Sequence, residues 1–561
     1  MTSGVATDGF DIPGLLASRA AATPHKQFVR CDDQSATYRE VNDAADSVAA
    51  FLVGEGFGSG QRVAYLSPYR IEVVKFIFGV ARIGGINAVL NIFLRGDFLT
   101  HQLVDSGPSV LVADRAGLDI ALAVIESLGD LRCILIVDDD DVSEATLAEI
   151  PHHILVTTWT DFPSQPTIRP EPVAPEPDTP FAFVYTSGTT GMPKACVHEY
   201  AFVRRMADAY TSAWSVTSAD TIYTATPLYH ISGYVGIMTA LSQGASLAVD
   251  TTYSASRFIR RAGELGATIV YGVGFHAVAA LAQPAAISDR SHALRLGWFG
   301  PLDATSASRF EERFGFPIIN EMYASTECSL VSHGVPGERS NASGGRILRD
   351  IEVRLVDDHD SEVPVGVVGE ITLRPVTAGG LFSGYWNRPD ATERAWRHLW
   401  HHTGDLGRLN ADGSLSWVDR KSDAMRRRGE MVSAFEIERV ILTHPQVIEI
   451  ATHGVVVEDE VDDAIKACIV ITDPETCPVE SLAKFFAAKL PYFAIPRFVE
   501  FVSELPRNGS GKVMKSDLRK RPNDAAHDLQ ILGLLPERSA RRAPSGLIES
   551  AASDLHPSSV L

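Results

Sequence analysis

A loop rich in glycine and hydroxyl side chains, with one lysine, follows an apolar run at residues 181–185. In chain order its residues are Thr186, Ser187, Gly188, Thr189, Thr190, Gly191, Met192, Pro193 and Lys194. Backbone N–H groups, hydroxyls and an ammonium on one loop can converge on a single anion, which is how many proteins hold phosphate. The loop differs from the G-x-x-x-x-G-K-[ST] pattern because Pro193 precedes the lysine and Ala195 follows it. The sequence therefore predicts a phosphate-binding loop, and the alternative is an ordinary flexible turn.

Further along the chain, other segments carry residues suited to nucleotide chemistry. Each places charged, hydroxyl or aromatic side chains on a turn or beside an apolar strand: residues 320–327, 402–405, 419–430 and 506–512. Taken singly, each also fits a structural role, such as a helix cap, a surface turn, a solvated basic run or a mobile lysine. Their joint order behind the phosphate loop favours a shared function.

Together and in this order, the loop and these segments resemble the adenylate-forming superfamily of acyl-CoA synthetases, adenylation domains and beetle luciferases. The resemblance extends over residues 12–520. Within its acyl-CoA ligase branch, residues 418–433 and 253–258 are most similar to bacterial crotonobetaine/carnitine-CoA ligases. The resemblance implies an ATP-dependent ligase that converts a small carboxylic acid to its acyl-adenylate and passes the acyl group to coenzyme A. ATP and Mg²⁺ are the implied cofactors, with coenzyme A as co-substrate.

The resemblance also implies roles for the matching residues of the large domain. Thr186, Ser187, Gly188, Thr189, Thr190, Gly191 and Lys194 would hold the β- and γ-phosphates. Tyr323 would stack on adenine, with Gly300 and Pro301 along its edge. Thr326 would contact the α-phosphate, and Glu327 would help to hold Mg²⁺.

Other roles fall around the small domain. Asp405 and Arg420 would bind the ribose hydroxyls, and Lys512 would reach the α-phosphate and the incoming carboxylate. By the same resemblance, Ser422 would occupy the hinge about which that domain rotates, and Gly429 would lie on the loop that then guides the thiol. The implied catalytic set is Lys512, Glu327, Thr326 and Lys194.

The acyl pocket is expected around residues 227–233, which resemble the gate segment of the family. Its implied substrate residues are His230, Gly233, Tyr234, Gly274 and Ala324. We interpret His230 as a gate or pocket wall in preference to a proton carrier. The gate segment has no acidic residue to bind an α-amine, so an apolar or aromatic acid is favoured over an amino acid. An acid such as carnitine would need an aromatic or acidic box for its ammonium, and the sequence identifies none.

Four features depart from the family pattern, and one of them is that Ala195 and Cys196 follow Lys194, where the family has Gly. Ser422 stands where Asp or Lys is more usual, Ala324 stands where Gly is usual, and Arg426 replaces a common Lys, which keeps the charge and changes its geometry. These departures bear on substrate size and rate more than on reaction class.

The main alternatives are a stand-alone enzyme that loads a carrier protein, a luciferase-like oxidative enzyme, and a non-catalytic nucleotide-binding family member. The joint presence of the implied charged residues argues against the last alternative: Lys194, Glu327, Asp405, Arg420 and Lys512.

Short apolar runs that alternate with helical stretches must position these residues. A strand over residues 62–66 followed by a helix over 72–81 is typical of α/β layering with largely parallel strands. We predict a large N-terminal α/β domain with layered sheets, which binds ATP and acid, over residues 1–419 and a small mobile α+β domain over 420–520. In the small domain, residues 464–471 are predicted to form a strand, and a helix is predicted to start near Pro478 with one apolar stripe: Leu482, Phe485, Phe486 and Leu490. Residues 521–561, rich in Pro, Ser, Ala and Arg, are predicted to form a flexible tail, and the alternative is that its short apolar run, residues 529–535, docks on the protein.

Composition excludes several classes. The formal net charge of -20 disfavours a nucleic-acid partner, which needs a basic face. The 6 cysteines show no C-x-x-C pair, which indicates reduced core residues and a cytoplasmic location. The sequence predicts neither a signal peptide nor a transmembrane segment. It does not indicate an oligomeric state.

Overall fold

The computed structural model describes residues 11–535, apart from 93, 95–96, 139–141, 162–170, 172, 187–191, 301, 339–343, 422–424, 428–429, 433, 458–463, 473–476, 491–493 and 508–512. Its α-helices are α1 Ile12–Ala22, α2 Tyr38–Gly54, α3 Ile71–Arg82, α4 Asp97–Ser106, α5 Arg115–Leu122, α6 Glu144–Leu147, α7 Tyr200–Trp214, α8 Ile231–Gln243, α9 Phe258–Glu264, α10 Gly274–Leu281, α11 Ala304–Phe314, α12 Pro389–Ala395, α13 Ala434–Ile441, α14 Val479–Lys489 and α15 Lys515–Arg519.

The strands are β1 Gln27–Cys31, β2 Gln34–Thr37, β3 Arg62–Leu66, β4 Ile86–Val89, β5 Val110–Ala113, β6 Cys133–Ile136, β7 Leu155–Thr158, β8 Pro180–Tyr185, β9 Ala195–Glu199, β10 Thr221–Thr224, β11 Ser246–Val249, β12 Ile269–Gly272, β13 Leu296–Phe299, β14 Ile318–Ile319, β15 Met322–Ser325, β16 Ser329–His333, β17 Gly345–Ile347, β18 Ile351–Val356, β19 Val368–Pro375, β20 Trp396–Arg397, β21 Trp400–Leu409, β22 Ser414–Arg420, β23 Met425–Arg427, β24 Glu430–Val432, β25 Val447–Val455, β26 Ala464–Ile471, β27 Phe498–Phe501 and β28 His527–Asp528.

Two sheets, each of seven strands, form the framework of the N-terminal part. One has the order β14-β13-β12-β10-β11-β1-β2 and the other the order β7-β6-β5-β3-β4-β8-β9. Their strands pair in parallel except at one edge of each sheet, where β1 with β2 and β8 with β9 are antiparallel. Central strands such as β5 and β6 are buried along their whole length, because helices between parallel strands cover both faces of a sheet. The predicted α/β class with layered sheets is confirmed.

The chain divides into two compact units. The first comprises residues 1–354, 372–402 and 412–415, and the second comprises 355–371, 403–411 and 416–561. A further sheet has the order β15-β16-β17-β22-β21-β19-β18, and β20 pairs with β21.

The second unit has its own sheet and apolar core. Its sheet has the order β25-β26-β27-β28, and β26 has the bounds that the sequence predicts. α14 begins after Pro478, as expected, and its apolar stripe buries Leu482 and Phe486 completely. Leu490 is also buried, but it lies just beyond the helix as its C-cap residue.

The first part of the predicted flexible tail is packed against this core. Residues 527–528 form β28, which pairs with β27, and Asp528 forms an ion pair with Arg497 at 2.8 Å. Leu529 is fully buried in the core cluster. Leu534 and Leu535 are partly buried against the same core, whereas Ile531 and Leu532 are exposed, so the apolar run is docked at both of its ends. The rest of the predicted tail lies outside the described residues.

A buried ion pair crosses this sheet. Lys466 and Glu500 lie on the adjacent strands β26 and β27 with Nζ and the carboxylate 2.9 Å apart, and both side chains are almost completely buried. Arg521 also donates to Glu500, at 2.9 Å from its Nε, and the Lys466 ammonium donates to the Pro522 carbonyl at 3.0 Å. The carboxylate therefore compensates a cation that water does not reach.

We predict that Glu500→Gln destabilises the second unit by about 3 kcal/mol, because it leaves Lys466 buried without a countercharge. Urea unfolding of the full chain measures the loss. Glu504→Gln, at an exposed position, is the control and should change stability by no more than about 0.5 kcal/mol. Equal effects of the two substitutions would contradict the buried-charge account.

Candidate active site

The predicted phosphate loop is a hairpin loop between β8 and β9. These strands pair antiparallel up to Tyr185 and Ala195. The loop is closed at its base by the Thr186 N–H, which donates to the Lys194 carbonyl at 2.9 Å, and by the Lys194 N–H, which donates to Thr186 Oγ1 at 3.4 Å. These two hydrogen bonds therefore fix the backbone of Lys194 at the end of the loop. The predicted phosphate ligands Ser187, Gly188, Thr189, Thr190 and Gly191 lie outside the described residues.

Helix α4 braces the base of this loop. The imidazole Nε2 of His101 donates to the Pro193 carbonyl at 2.8 Å, so it carries the proton. The Tyr185 hydroxyl donates to Asp105 at 3.1 Å, and Asp105 also forms an ion pair with Arg388 at 2.8 Å. Sequence reasoning did not identify these supports.

The turn that carries Thr326 and Glu327 follows β15 and is held by hydrogen bonds from several segments. The Ser325 hydroxyl donates to Glu327 Oε2 at 3.0 Å, and the Tyr385 hydroxyl donates to Glu327 Oε1 at 2.9 Å. The Phe382 N–H donates to the Glu327 carbonyl at 2.9 Å. The carboxylate is thus oriented through both of its oxygens.

Tyr385 joins this turn to the phosphate loop. The Lys194 ammonium lies 4.3 Å from the centre of the Tyr385 ring, within the range of a cation–π contact. One tyrosine therefore contacts both the loop lysine and the predicted metal-binding carboxylate. Sequence reasoning missed Tyr385, for which the available signal was an aromatic pair after glycine at residues 384–386.

Strand β9 carries the pairing that brings these segments together. Beyond its ladder with β8, its Val197 N–H donates to the Gly384 carbonyl, and the Trp386 N–H donates to its Ala195 carbonyl, both at 2.9 Å. The segment that bears Tyr385 is therefore aligned alongside β9.

His198 on β9 forms a hydrogen bond with the backbone of Thr326. Its Nε2 donates to the Thr326 carbonyl at 2.8 Å, and its ring stacks on Phe202 at 4.0 Å. Burial lowers the pKa of this imidazole to about 4, so it is neutral near pH 7. It therefore fixes the backbone of the turn without adding charge.

The described adenine-binding predictions lie on or directly after two strands of different sheets, β15 and β13. Tyr323 is a buried residue of β15. Gly300 directly follows β13, and a Cβ there would lie 2.3 Å from Met322 Cε, so the glycine makes room for that side chain. Pro301 lies outside the described residues.

The predicted gate segment ends at the start of α8. Burial lowers the pKa of the His230 imidazole to about 4, and its ring lies 4.6 Å from that of Tyr229. Gly233 packs against backbone, since a Cβ there would lie 2.6 Å from the α-carbon of Leu228. The Tyr234 hydroxyl is buried and has no hydrogen-bond partner among the described residues, which costs free energy unless water or a ligand completes it.

Two further predicted acyl-pocket residues are described. Gly274 is buried and begins α10, while Ala324 is an exposed residue of β15.

In the second unit, Asp405 and Arg420 are brought together. Asp405 is buried on β21 and forms an ion pair with Arg420 Nε on β22 at 2.8 Å. Next to Arg420, Asp419 accepts the Phe435 N–H at 3.2 Å near the start of α13. The predicted residues Ser422, Gly429 and Lys512 lie outside the described residues.

Comparison with known proteins identifies the family. The family model of the AMP-binding enzymes matches residues 16–386, and the model of their C-terminal domain matches residues 436–512. The chain belongs to the AMP-binding enzyme family. The resemblance to adenylate-forming acyl-CoA ligases and the prediction of an AMP-forming acid–thiol ligase are confirmed.

Individual relatives extend over nearly the whole chain. The crotonobetaine/carnitine–CoA ligase of Salmonella paratyphi B is 29% identical over 528 residues, covering 91% of this chain and 97% of that enzyme. The enzyme of the same name from Escherichia coli O139:H28 is 29% identical over 514 residues, covering 88% and 96%.

Solved structures agree in fold. ATP-bound MatB from Rhodopseudomonas palustris has a TM-score of 0.80 at 24% identity, covering 92% of this chain and 99% of that one. The Bacillus subtilis o-succinylbenzoate–CoA synthetase bound to AMP has a TM-score of 0.77 at 24% identity, covering 91% and 99%. At this identity the likeness establishes the fold alone.

Among the described residues, no helix combines the length and apolar character that crossing a bilayer requires. All 6 cysteines are buried and unpaired, as their spacing predicts.

We predict that Gly233→Ala displaces the gate segment, because its new methyl group would overlap the backbone of Leu228. A displacement of this kind should lower kcat/KM for the acid by about tenfold or more. The measurement is the acid dependence of pyrophosphate release. Gly54→Ala, whose Cβ would meet nothing within 4 Å, is the control, and an equal effect of both changes would contradict the steric argument.

Proposed function

We propose that the protein is an ATP- and Mg²⁺-dependent acyl-CoA ligase that acts on an apolar or aromatic carboxylic acid. In the first step the acid and ATP give acyl-AMP and pyrophosphate. In the second step the thiol of coenzyme A attacks the acyl carbon, so that acyl-CoA, AMP and a proton are released.

The observation that carries this proposal is the grouping of Lys194, Tyr385 and Glu327 at the base of a hairpin loop. A cation and a carboxylate from distant parts of the chain contact the same aromatic side chain. Glu327 offers one carboxylate, oriented by two hydroxyl donors, and Mg²⁺ in nucleotide sites takes one or two carboxylates together with phosphate oxygens. The residues present therefore fit a phosphate-bound Mg²⁺. The described residues contain no cluster of three or more His, Cys, Asp and Glu that could hold a metal without phosphate.

The first step brings two anions together, because a carboxylate oxygen attacks the α-phosphorus while pyrophosphate leaves. The barrier is therefore mostly electrostatic and positional. We assign Lys194 and the loop to the β- and γ-phosphates, Thr326 to the α-phosphate, and Lys512 to the α-phosphate and the carboxylate. Bound Mg²⁺ would neutralise the charge that develops on the phosphate oxygens.

Nucleoside recognition follows the same assignment. Tyr323 would stack on the adenine, and Gly300 and Pro301 would line its edge. The Asp405–Arg420 pair would meet the ribose hydroxyls, since a buried carboxylate accepts hydrogen bonds from hydroxyl groups and a guanidinium donates to them.

The character of the gate supports an uncharged acyl group. His230 is neutral near pH 7, and residues 227–233 contain no carboxylate. The rings of Tyr210, Trp214, Tyr271 and Trp298 have centroids 5.1–5.8 Å apart. These rings pack on one another in the buried core. An apolar or aromatic acid therefore fits the gate better than an amino acid or a quaternary ammonium acid. We also propose that the enzyme acts in the cytoplasm, in the metabolism of fatty acids or similar acids.

Pyrophosphate release with a panel of acids, each with and without coenzyme A, tests the function. The panel holds short to long fatty acids, aryl and polycyclic acids, carnitine and amino acids. The proposal predicts release with an apolar or aromatic acid, and acyl-CoA and AMP as products when coenzyme A is present. Release without acyl transfer to coenzyme A would point to carrier-protein loading, and no release with any acid would favour a non-catalytic nucleotide binder.

We predict that Lys512→Ala lowers the rate of acyl-AMP formation by about a thousandfold. One ammonium about 4 Å from a developing charge contributes about 4 kcal/mol at an effective dielectric constant of about 20, and each 1.4 kcal/mol is about tenfold in rate. Thioester formation from supplied acyl-AMP should be spared. Lys520→Ala, at an exposed lysine, is the control, and equal loss in both half-reactions would contradict the assignment.

We predict that Ser422→Pro blocks thioester formation and leaves adenylation intact, because proline restricts the backbone rotation that a hinge requires. Acyl-AMP should then accumulate in a single-turnover assay with coenzyme A present. Ser422→Ala, which keeps an unrestricted backbone, is the matched control. Normal overall turnover of the proline variant would contradict the hinge.

A further inference from the structure

Tyr385 contacts two groups that the proposed function places on the nucleotide, and it does so through different parts of its side chain. Its hydroxyl donates to Glu327 Oε1 at 2.9 Å, and the face of its ring lies 4.3 Å from the Lys194 ammonium. We infer that Tyr385 is a positioning residue for metal-bound ATP, which orients the carboxylate by its hydroxyl and the ammonium by its ring. The inference rests on the proposed function.

The backbone of Tyr385 is fixed from two sides, so its side chain is held in place. Its N–H donates to Thr392 Oγ1 at 2.9 Å, and it forms an isolated antiparallel bridge with Cys196 on β9. Its ring also packs edge-on against Phe382 at 4.9 Å. Because Phe382 in turn donates to the Glu327 carbonyl, the same segment holds both the backbone and the carboxylate of Glu327.

The two contacts position the Lys194 ammonium and the Glu327 carboxylate, which we propose to bind the same metal-bound ATP. Without nucleotide, a lysine on a loop can move toward a nearby carboxylate and neutralise it. The aromatic face offers Lys194 another partner, and the hydroxyl fixes the position of Glu327 Oε1. Glu327 Oε2 is held separately by Ser325, so the tyrosine hydroxyl determines the orientation of Oε1 in particular.

Three substitutions separate the contacts. Tyr385→Phe removes the hydroxyl and keeps the ring, and Tyr385→Leu removes both. Tyr223→Phe is the matched control, because the Tyr223 hydroxyl also donates to a carboxylate, that of Asp250, at 3.0 Å. Calorimetric titration with ATP plus Mg²⁺, and with AMP alone, measures binding without turnover. The Mg²⁺ dependence of pyrophosphate release is a second readout.

The inference predicts that Tyr385→Phe weakens binding of Mg²⁺-ATP about tenfold, as expected for a hydrogen bond to a charged group. It should raise the Mg²⁺ requirement and leave AMP binding and the unfolding temperature unchanged. Tyr385→Leu should weaken Mg²⁺-ATP binding by about threefold more through the lost cation–π contact. In double-mutant cycles the hydroxyl effect should vanish with Glu327→Gln, and the additional ring effect should vanish with Lys194→Met.

Mg²⁺-ATP binding by Tyr385→Phe that equals that of Tyr223→Phe would overturn the inference. So would an equal loss of AMP and Mg²⁺-ATP binding, since that result indicates general damage to the site. If Tyr385→Leu fails to fold, Tyr385→Phe and its cycle with Glu327→Gln still decide the matter. If the unmodified protein binds no Mg²⁺-ATP, the proposed function itself fails, whereas adenylation with an unaltered Mg²⁺ requirement in Tyr385→Phe overturns only this inference.

Discussion

The hydrogen bonds along strand β9 hold together the part of the candidate site that we propose to bind the nucleotide. On one edge β9 pairs with β8 and closes the loop from which Lys194 emerges. On the other edge β9 forms hydrogen bonds with the segment that bears Tyr385. The side chain of His198, a residue of β9, fixes the backbone of Thr326. A loop, a turn and a linking segment that are far apart in sequence therefore share one rigid strand.

This arrangement matters because the proposed chemistry is governed by charge placement. Joining a carboxylate to a polyphosphate requires cations and hydrogen-bond donors at fixed positions, and electrostatic stabilisation depends on their orientation before the reaction begins. The protein meets this requirement with neutral supports around a few charges. His198 is neutral near pH 7, and hydroxyl groups of Ser325 and Tyr385 orient Glu327. Further cations close to Glu327 would compete with Mg²⁺ for its carboxylate.

Much of the fold and part of the site could be predicted from the sequence. Local patterns suffice for a strand such as β26, for the start of α14 after Pro478, and for the motif that ends in Lys194. Longer-range contacts could not be read in this way. The hydrogen bond from Tyr385 to Glu327 spans 58 residues and that from His198 to Thr326 spans 128, and no local periodicity encodes either. The C-terminal tail is a second case. Its composition predicts a flexible segment, but Leu529 is buried in the core of the second unit, and this long-range packing cannot be predicted from composition.

The fate of a carboxylate oxygen tests the central claim most directly. An acid accepted by the enzyme is labelled with ¹⁸O in its carboxylate and converted in the presence of ATP, Mg²⁺ and coenzyme A. Attack of the carboxylate on the α-phosphorus, followed by thiol attack on the acyl carbon, leaves one labelled oxygen in AMP. The account therefore predicts AMP that carries one ¹⁸O atom and pyrophosphate that carries none. Label in inorganic phosphate together with release of ADP, or AMP without label, would contradict an acyl-adenylate mechanism.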